Sequence, residues 1–276
     1  MSGVLFAKEV PIQPLIKWAG GKQRLLTVYR KLFPKEFKNY HEPFLGSGAV
    51  FFYLRPKKAV LIDKNEELIN FYRVVRDFPE ELMELVLSYK VSKEFYYEIR
   101  SLNPRELNEI QRAARFLYLN KTAYNGLWRV NSKGEFNVPF GRYKKVKFFD
   151  RDNLLRASEL LKRATIICGD FEEVLNYVNK GDFVYMDPPY YPLSETSNFS
   201  NYTSDGFSKE DHIRVYNTFK KLDEVGCFVM LSNSDTEFIR NLFKDYSIIE
   251  VKAPRFINCK AEGRKPITEL VIRNYE

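Results

Sequence analysis

The segment "FVYMDPPYYP" (183–192) sets an acid, two prolines and two tyrosines directly after four apolar, β-prone residues. Pro188 and Pro189 lack backbone N–H groups and fix φ, so they end a strand and hold its tip extended. Asp187 and the Pro188 carbonyl then form two rigid acceptors aimed at one point, and an exocyclic amine has two N–H donors to offer them. Tyr190 beside them provides a face on which the heterocycle carrying that amine can stack. A strand closed by Asp-Pro is a common turn. The Pro-Pro-aromatic sequel after a buried strand is not, and it is the most specific chemical signal in the chain.

Three other segments carry weaker chemistry. In "EPFLGSGAVFF" (42–52), Gly46 and Gly48 allow a sharp strand-to-helix turn and close approach of backbone to a ligand. Position 51 is Phe, so the full G-x-G-x-x-G dinucleotide pattern is missing, and an ordinary tight turn fits equally well. Asp63 ends "VLID", where a carboxylate suits ribose hydroxyls or, more blandly, a helix N-terminus. Asp170 and Phe171 follow "IICG" and could grip and sandwich an adenine ring, with a helix cap as the plain alternative.

These residues need elements to hold them. "KQRLLTVYRKLF" (22–33) has helical spacing and is stopped by Pro34. "NYHEPF" reads as a short strand, "AVFFYL" as a helix start, "KAVLID" as a strand, and "NEELINFYRVVRD" as a helix capped by Asn65. "TIICGD", "DFVYMD" and "CFVMLSNS" are near-continuous apolar runs, as expected of strands buried on both faces. Helical segments "FEEVLNYV", "SKEDHIRVYNTFKKLDEVG" and "TEFIRNLFKDY" separate them, and "YSIIEVKA" and "TELVIRNY" suit an antiparallel edge. The alternation predicts a doubly wound α/β sheet, in which ligands bind at the carboxyl ends of the strands.

From 67 to about 120 the pattern is instead almost wholly helical, and it runs into a loop-like stretch at 121–148. The expected organisation is an α/β domain formed by 1–66 and 150–276, with 67–149 inserted as a separate helical unit. In the loop-like stretch, Lys121, Arg129, Lys133, Arg142, Lys144, Lys145 and Lys147 face a single acid, Glu135, and aromatics stand at 124, 128, 136, 140 and 143. That mixture suits phosphate contact and base stacking, or a merely solvated loop.

The whole-chain composition agrees. The 276 residues are 45% hydrophobic and 16% aromatic, enough to bury a core, and the net charge is +8, which suits a polyanionic partner. Cys168, Cys227 and Cys259 are too few and too scattered for a disulfide framework or a zinc site. Cys168 and Cys227 read as buried free thiols. His41 and His212 are isolated, so no metal is expected. No secretory leader or membrane span is recognised, which leaves the cytoplasm as the expected compartment.

"DPPY" with "FLGSG" upstream resembles the amino-methyltransferases that use S-adenosylmethionine to methylate adenine N6 or cytosine N4 in DNA. "PLIKWAGGKQRLL", "EPFLGSGAVFF", "NGLWRVNSKGEFNVPFGRYKK" and "DPPYYPLSETSNF" are similar to the Dam-type adenine methyltransferases, which act on GATC. The order of cofactor motif, recognition region and DPPY is that of the α group. The resemblance implies a Rossmann-like methyltransferase sheet carrying a helical target-recognition insert. It implies cofactor contacts from Trp18 and Lys22 of "KWAGGK", Phe44, Gly46 and Gly48 at the methionine end, Asp63 at the ribose, Asp170 and Phe171 at the adenine, and Asp187 between cofactor and base. Trp18 alone would suit a core aromatic and Lys22 a helix-start charge. The resemblance further implies catalytic roles for Asp187, Pro188 and Tyr190.

It also implies contacts to double-stranded DNA. Arg129 would read a guanine, Tyr124 would wedge into the stack with Asn125 beside it, and Lys17 would meet the first base. Leu127, Asn137, Pro139 and Tyr143 would occupy other base-contact positions. The expected activity is N6 methylation of a flipped adenine, with no covalent enzyme intermediate. "SETSNFSNYTSDGF" (194–207) reads as a loop over the DNA, and "SNSD" (232–235) as the pocket floor. The competing readings are an amino-methyltransferase acting on RNA, on protein or at a longer DNA site, and a DNA-binding regulator without activity.

Overall fold

The computed structural model describes residues 10–193, 207–253 and 267–276. The loop expected over 194–207 lies outside the described residues apart from Phe207, and the basic segment 255–266 lies outside them altogether. The strands are β1 (Tyr40–Glu42), β2 (Ala59–Asp63), β3 (Ala164–Cys168), β4 (Phe183–Met186), β5 (Phe228–Ser234), β6 (Ser247–Ala253) and β7 (Ile267–Arg273). The helices are α1 (Leu26–Tyr29), α2 (Ala49–Leu54), α3 (Glu66–Asp77), α4 (Pro79–Leu87), α5 (Lys93–Ser101), α6 (Glu109–Thr122), α7 (Arg151–Leu161), α8 (Lys209–Val225) and α9 (Glu237–Leu242). None of the described helices is long and apolar enough to cross a membrane.

Two compact units form. The first takes in the chain up to Gln23 and Leu45–Phe171, and the second takes in Arg24–Phe44 and Glu172–Glu276. In the first, β2 and β3 pair in parallel, with Asp63 opposite Cys168. Helix α3 starts as its sequence predicts, because the Asn65 side chain accepts the Leu68 N–H at 3.0 Å. Helix α6 starts with a full capping box between Asn108 and Gln111.

In the second unit β1, β4 and β5 are parallel, β7 lies antiparallel beside β5, and β6 lies antiparallel beside β7. The antiparallel ending expected from the last two strands is therefore present. Helix α8 is bounded by a Ser208–Asp211 capping box and by Gly226, whose φ of 87° supplies the left-handed stop. The roots of β1 and β4 are joined by Asp182, fully buried, which accepts from the Asn39 and Asn179 N–H groups, the Asn39 amide and His41 Nε2. The architecture is mixed α/β, as the alternation predicts.

Three expectations need correction. The helix over 22–33 shrinks to the single turn α1, preceded by a 3-10 turn at Lys22–Arg24. Leu25 offers no side-chain cap, and Thr27 and Val28 are β-branched, so little favours a longer helix. The segment "FEEVLNYV" takes a 3-10 form at Phe171–Asn176 instead of an α-helix. Strand β3 is not buried on both faces: Thr165 and Cys168 are exposed, so Cys168 is a surface thiol while Cys227 is buried. Among the described strands β3 pairs with β2 alone, so it is an edge strand with one side not covered by a neighbouring strand.

His212 on α8 is 1% exposed and is packed edge-on by Tyr191, Phe207 and Phe238. Burial lowers its pKa to about 4, against a small opposing effect of Asp211. Because the folded value lies below the unfolded one, its stabilisation is complete above about pH 6.5 and is lost as the pH falls towards 4. We expect unfolding stability to drop by about 2 kcal/mol between pH 7 and 5 through this group, and His212→Phe to remove that part of the slope. Equal slopes in chemical denaturation of the two proteins would refute the assignment.

Candidate active site and nucleic-acid interface

Strand β4 is buried along its whole length and runs parallel to β5, with Met186 opposite Leu231. One residue further, Asp187 emerges beside Ser232. The Ser232 hydroxyl donates to Asp187 Oδ1 at 2.7 Å, and the Tyr185 hydroxyl lies 3.0 Å from the same serine oxygen. A hydrogen bond to a charged group stabilises by about 1.5–3 kcal/mol, enough to fix the carboxylate's rotamer. A carboxylate has about four acceptor positions, and Ser232 takes one of them. Pro188 is buried, Pro189 exposed and Asp187 half-buried.

The rest of the turn is stapled by the end of β5. Asn233 Oδ1 accepts the Tyr191 N–H at 3.0 Å, and the Ser234 hydroxyl donates to the Tyr191 carbonyl at 2.6 Å. The "SNS" triplet thus orders the turn. Tyr191 itself packs on Phe238, ring centroids 4.5 Å apart, and so belongs to the turn's support. Tyr190 is half-exposed, and its hydroxyl donates to Glu269 Oε2 at 2.8 Å. Burial first, and then the charge of Asp187, push the Tyr190 phenol well above its ordinary pKa, so it stays a donor.

Tyr29, fully buried on α1, donates to the same Glu269 oxygen at 3.4 Å. Neither Tyr29 nor Glu269 was foreseen from sequence. Glu269 stands in "ITELVIR" as one acid in an apolar strand, and only the antiparallel pairing of β7 brings it opposite Ser234 at the carboxyl end of β5. Phe44 lies in this same unit, half-buried and edge-on to Phe207 at 6.1 Å.

The remaining residues expected at the cofactor meet in the first unit, at the carboxyl ends of β2 and β3. Asp63 accepts the Gly46 N–H through Oδ2 at 3.0 Å and the Asn65 N–H through Oδ1 at 2.9 Å. Burial nonetheless raises its pKa, overcoming the backbone bonds from Gly46, Asn65 and Lys64. The Gly169 N–H donates to the Asp63 carbonyl at 3.1 Å, which sets Asp170 and the buried Phe171 next to it. Gly46 and Gly48 both have positive φ, 48° and 62°.

A Cβ on Gly46 would stand 2.9 Å from Trp18 Cδ1, so the missing side chain admits the Trp18 ring. Lys22 is 4% exposed and its ammonium donates to the Gly20 carbonyl at 2.8 Å, folding it over the "KWAGG" turn. These groups suit an adenosyl moiety. A carboxylate holding backbone N–H groups still has lone pairs for the two hydroxyls of a ribose, and Asp170 with Phe171 lies on the adjoining strand end.

The stretch after α6 is an irregular hairpin with short bridges at Ala123–Phe140 and Val130–Phe136. The Tyr124 N–H donates to the Pro139 carbonyl and the Gly141 N–H to the Thr122 carbonyl, at 2.9 and 2.8 Å. Lys17 joins this surface, because Asn120, fully buried, accepts its N–H and donates to its carbonyl. Its ammonium lies 5.3 Å from the centre of the Tyr143 ring. A Cβ on Gly126 would stand 2.3 Å from Lys17 Cδ, so the glycine makes room for that side chain.

Tyr124, Asn125, Arg129 and Pro139 are exposed, while Leu127, Asn137 and Tyr143 are half-exposed. Arg129 Nε donates to Asn137 Oδ1 at 2.8 Å, so in this structure Asn137 holds the arginine. Of the five aromatics interleaved in this stretch, three pack on other aromatics. Trp128 packs on Phe116 and Phe136, Phe136 is buried, and Phe140 packs on Tyr96. Tyr124 and Tyr143 remain on the surface. Lys121 is half-buried, and burial followed by the charge of Lys17 lowers its pKa to about 8.

Residues 18–257 match the family model for D12 class N6 adenine-specific DNA methyltransferases. The chain is 45% identical to the type II methyltransferase M1.LlaDCHI of Lactococcus lactis subsp. cremoris over 99% of both proteins. It is 46% identical to the type II methyltransferase M.MjaIII of Methanocaldococcus jannaschii, over 96% of this chain and 99% of that one. The DNA adenine methylase of Escherichia coli (strain K12) is 35% identical over 93% of each. Matched by that family model over most of its length and at least 35% identical to these relatives along nearly the whole chain, the protein belongs to the D12 class of N6 adenine-specific DNA methyltransferases, enzymes that take their methyl group from S-adenosylmethionine.

Proposed function

We propose that this enzyme methylates N6 of an adenine flipped out of duplex DNA, that its site is GATC, and that residues 67–149 form its target-recognition domain. The observation that carries the chemistry is the Ser232–Asp187 hydrogen bond of 2.7 Å at the rigid Asp-Pro-Pro turn. It leaves a carboxylate of fixed orientation beside a proline carbonyl and the partly buried Tyr190. Tyr190 stacks on the target base, Asp187 and the Pro188 carbonyl accept hydrogen bonds from the two N6–H groups, and Asp187 takes the proton that N6 loses on methylation. Conjugation draws the N6 lone pair into the ring, and two acceptors in fixed positions favour a more tetrahedral nitrogen whose lone pair is available for attack.

Catalysis on this reading comes from positioning and preorganised electrostatics. S-Adenosylmethionine, when bound, supplies an electrophilic methyl group on a sulfonium. Trp18, Lys22, Phe44, Gly46, Gly48, Asp63, Asp170 and Phe171 hold it, with Asp63 on the ribose and Asp170 and Phe171 at the adenine. Extruding the base costs a few kcal/mol, and Tyr124, exposed beside Asn125, fills the gap left in the stack.

Arg129 reads a guanine through its major-groove edge, the commonest specific contact. The bond from its Nε to Asn137 supports this, since it leaves the guanidinium's terminal nitrogens to form a bidentate pair. Lys17, Leu127, Asn137, Pro139 and Tyr143 complete the contact surface. GATC follows from the likeness of the recognition segment "NGLWRVNSKGEFNVPFGRYKK" to Dam-type enzymes, and the DNA adenine methylases among the relatives support it.

Sequencing of N6-methyladenine in DNA from cells expressing the chain is expected to show methylation at GATC, and methylation confined to another sequence would overturn the site. Asp187→Ala is expected to keep DNA binding while slowing methyl transfer by at least about a hundredfold. A wild-type rate in a tritiated-methyl assay would remove Asp187 from the mechanism. Arg129→Ala is expected to lower discrimination at one base pair by about 10- to 100-fold with cofactor affinity unchanged. Unchanged discrimination between GATC and its single-base variants would end the reader's role for Arg129.

A further inference from the structure

We propose that Glu269 is a positioning residue for methyl transfer, holding the Tyr190 ring at the angle on which the target base stacks. The inference rests on the stacking role given to Tyr190 above. The two prolines restrict the backbone up to position 189, but they leave the χ angles of Tyr190 free. The rotamer is held at the far end of the ring, where the phenol donates to Glu269 Oε2 at 2.8 Å. Tyr190 is only partly buried as a residue, while its hydroxyl is fixed by this bond.

The anchor is itself braced. Tyr29, fully buried, donates to the same oxygen at 3.4 Å and packs edge-on against Tyr185, at 6.3 Å between ring centres. Tyr185 lies within hydrogen-bond reach of Ser232, which holds Asp187. One connected set of side chains therefore fixes both the stacking ring and the acceptor carboxylate. Burial and neighbouring negative charge raise the Tyr29 and Tyr190 phenols well above their ordinary range, so both remain donors to Glu269 across working pH. The chain topology explains the choice of residue. Strand β7 is antiparallel, so its first residues stand at the carboxyl ends of the parallel strands, and Glu269 faces Ser234 there.

A double-mutant cycle on single-turnover methylation tests this, with Kd for DNA and for S-adenosylmethionine measured alongside. Glu269→Ala is expected to slow methyl transfer about tenfold with both Kd values within twofold of wild type. Glu269→Gln, which keeps an acceptor at the same reach, is expected to restore most of the rate. Tyr190→Phe is expected to lose about as much as Glu269→Ala, and adding Glu269→Ala to it should cost less than twofold more.

Equal losses from Glu269→Ala in the wild-type and Tyr190→Phe backgrounds would overturn the proposal, as would a wild-type rate for Tyr190→Phe. The latter reading holds even if Glu269→Ala does not fold. Tyr190→Ala separates the two levels. A normal rate there refutes the stacking role itself, whereas a large loss there with a normal rate in Glu269→Ala refutes only the positioning role of Glu269.

Discussion

The register between β4 and β5 is the constraint on which the acceptor site depends. Parallel pairing puts Met186 opposite Leu231, so the next residues, Asp187 and Ser232, meet at the strand ends. A slip of one strand by one residue would turn its side chains to the opposite face of the sheet and part Asp187 from Ser232. The register is secured because both strands are almost wholly buried and because Asp182 ties the roots of β1 and β4 together below. Above, Asn233 and Ser234 continue the same strand and bind the Tyr191 backbone. Three consecutive polar residues on one strand therefore order the whole Asp-Pro-Pro-Tyr turn.

The ends of β2 and β3 are built on the same economy, with backbone groups arranged around one carboxylate. Asp63 gathers N–H groups from the glycine turn before it and the helix start after it, so the turn, the strand end and α3 share one electrostatic centre. A buried carboxylate is costly unless hydrogen-bonded, and here the compensation comes from N–H groups that would otherwise go unpaired. The turn's shape depends also on Trp18, which fills the space a side chain on Gly46 would need. The irregular hairpin after α6 follows a different plan. Buried aromatics pin its base to α5 and α6, and its polar tip is ordered by Asn131, which accepts the Lys133 and Glu135 N–H groups.

Much of this was legible from residues alone. The Asp-Pro-Pro-Tyr signal was readable because proline's covalent restrictions act in any fold, and Asn65 and the alternation of apolar runs with helical segments act through local rules of the same kind. The basic, aromatic stretch after α6 suggested a surface for a polyanion, but its composition could not sort its aromatics. Trp128, Phe136 and Phe140 differ from Tyr124 and Tyr143 only in what lies against them, and that is a matter of packing. Cys168 was misread for a related reason, since an apolar run does not say whether its strand has a second neighbour.

What the sequence by itself determined is the chemistry that covalent structure and short-range geometry impose: a stiff acceptor pair with an aromatic face, a glycine turn, and an acid at a strand end. What only the tertiary structure decided is which distant groups complete those fragments. Glu269 lies 79 residues beyond Tyr190 and Ser232 lies 45 beyond Asp187, and no periodicity links either pair. They meet because one strand runs parallel to β4 and the next runs back against it. Side-chain partners across a sheet are set by strand order and register, which are properties of the folded chain as a whole.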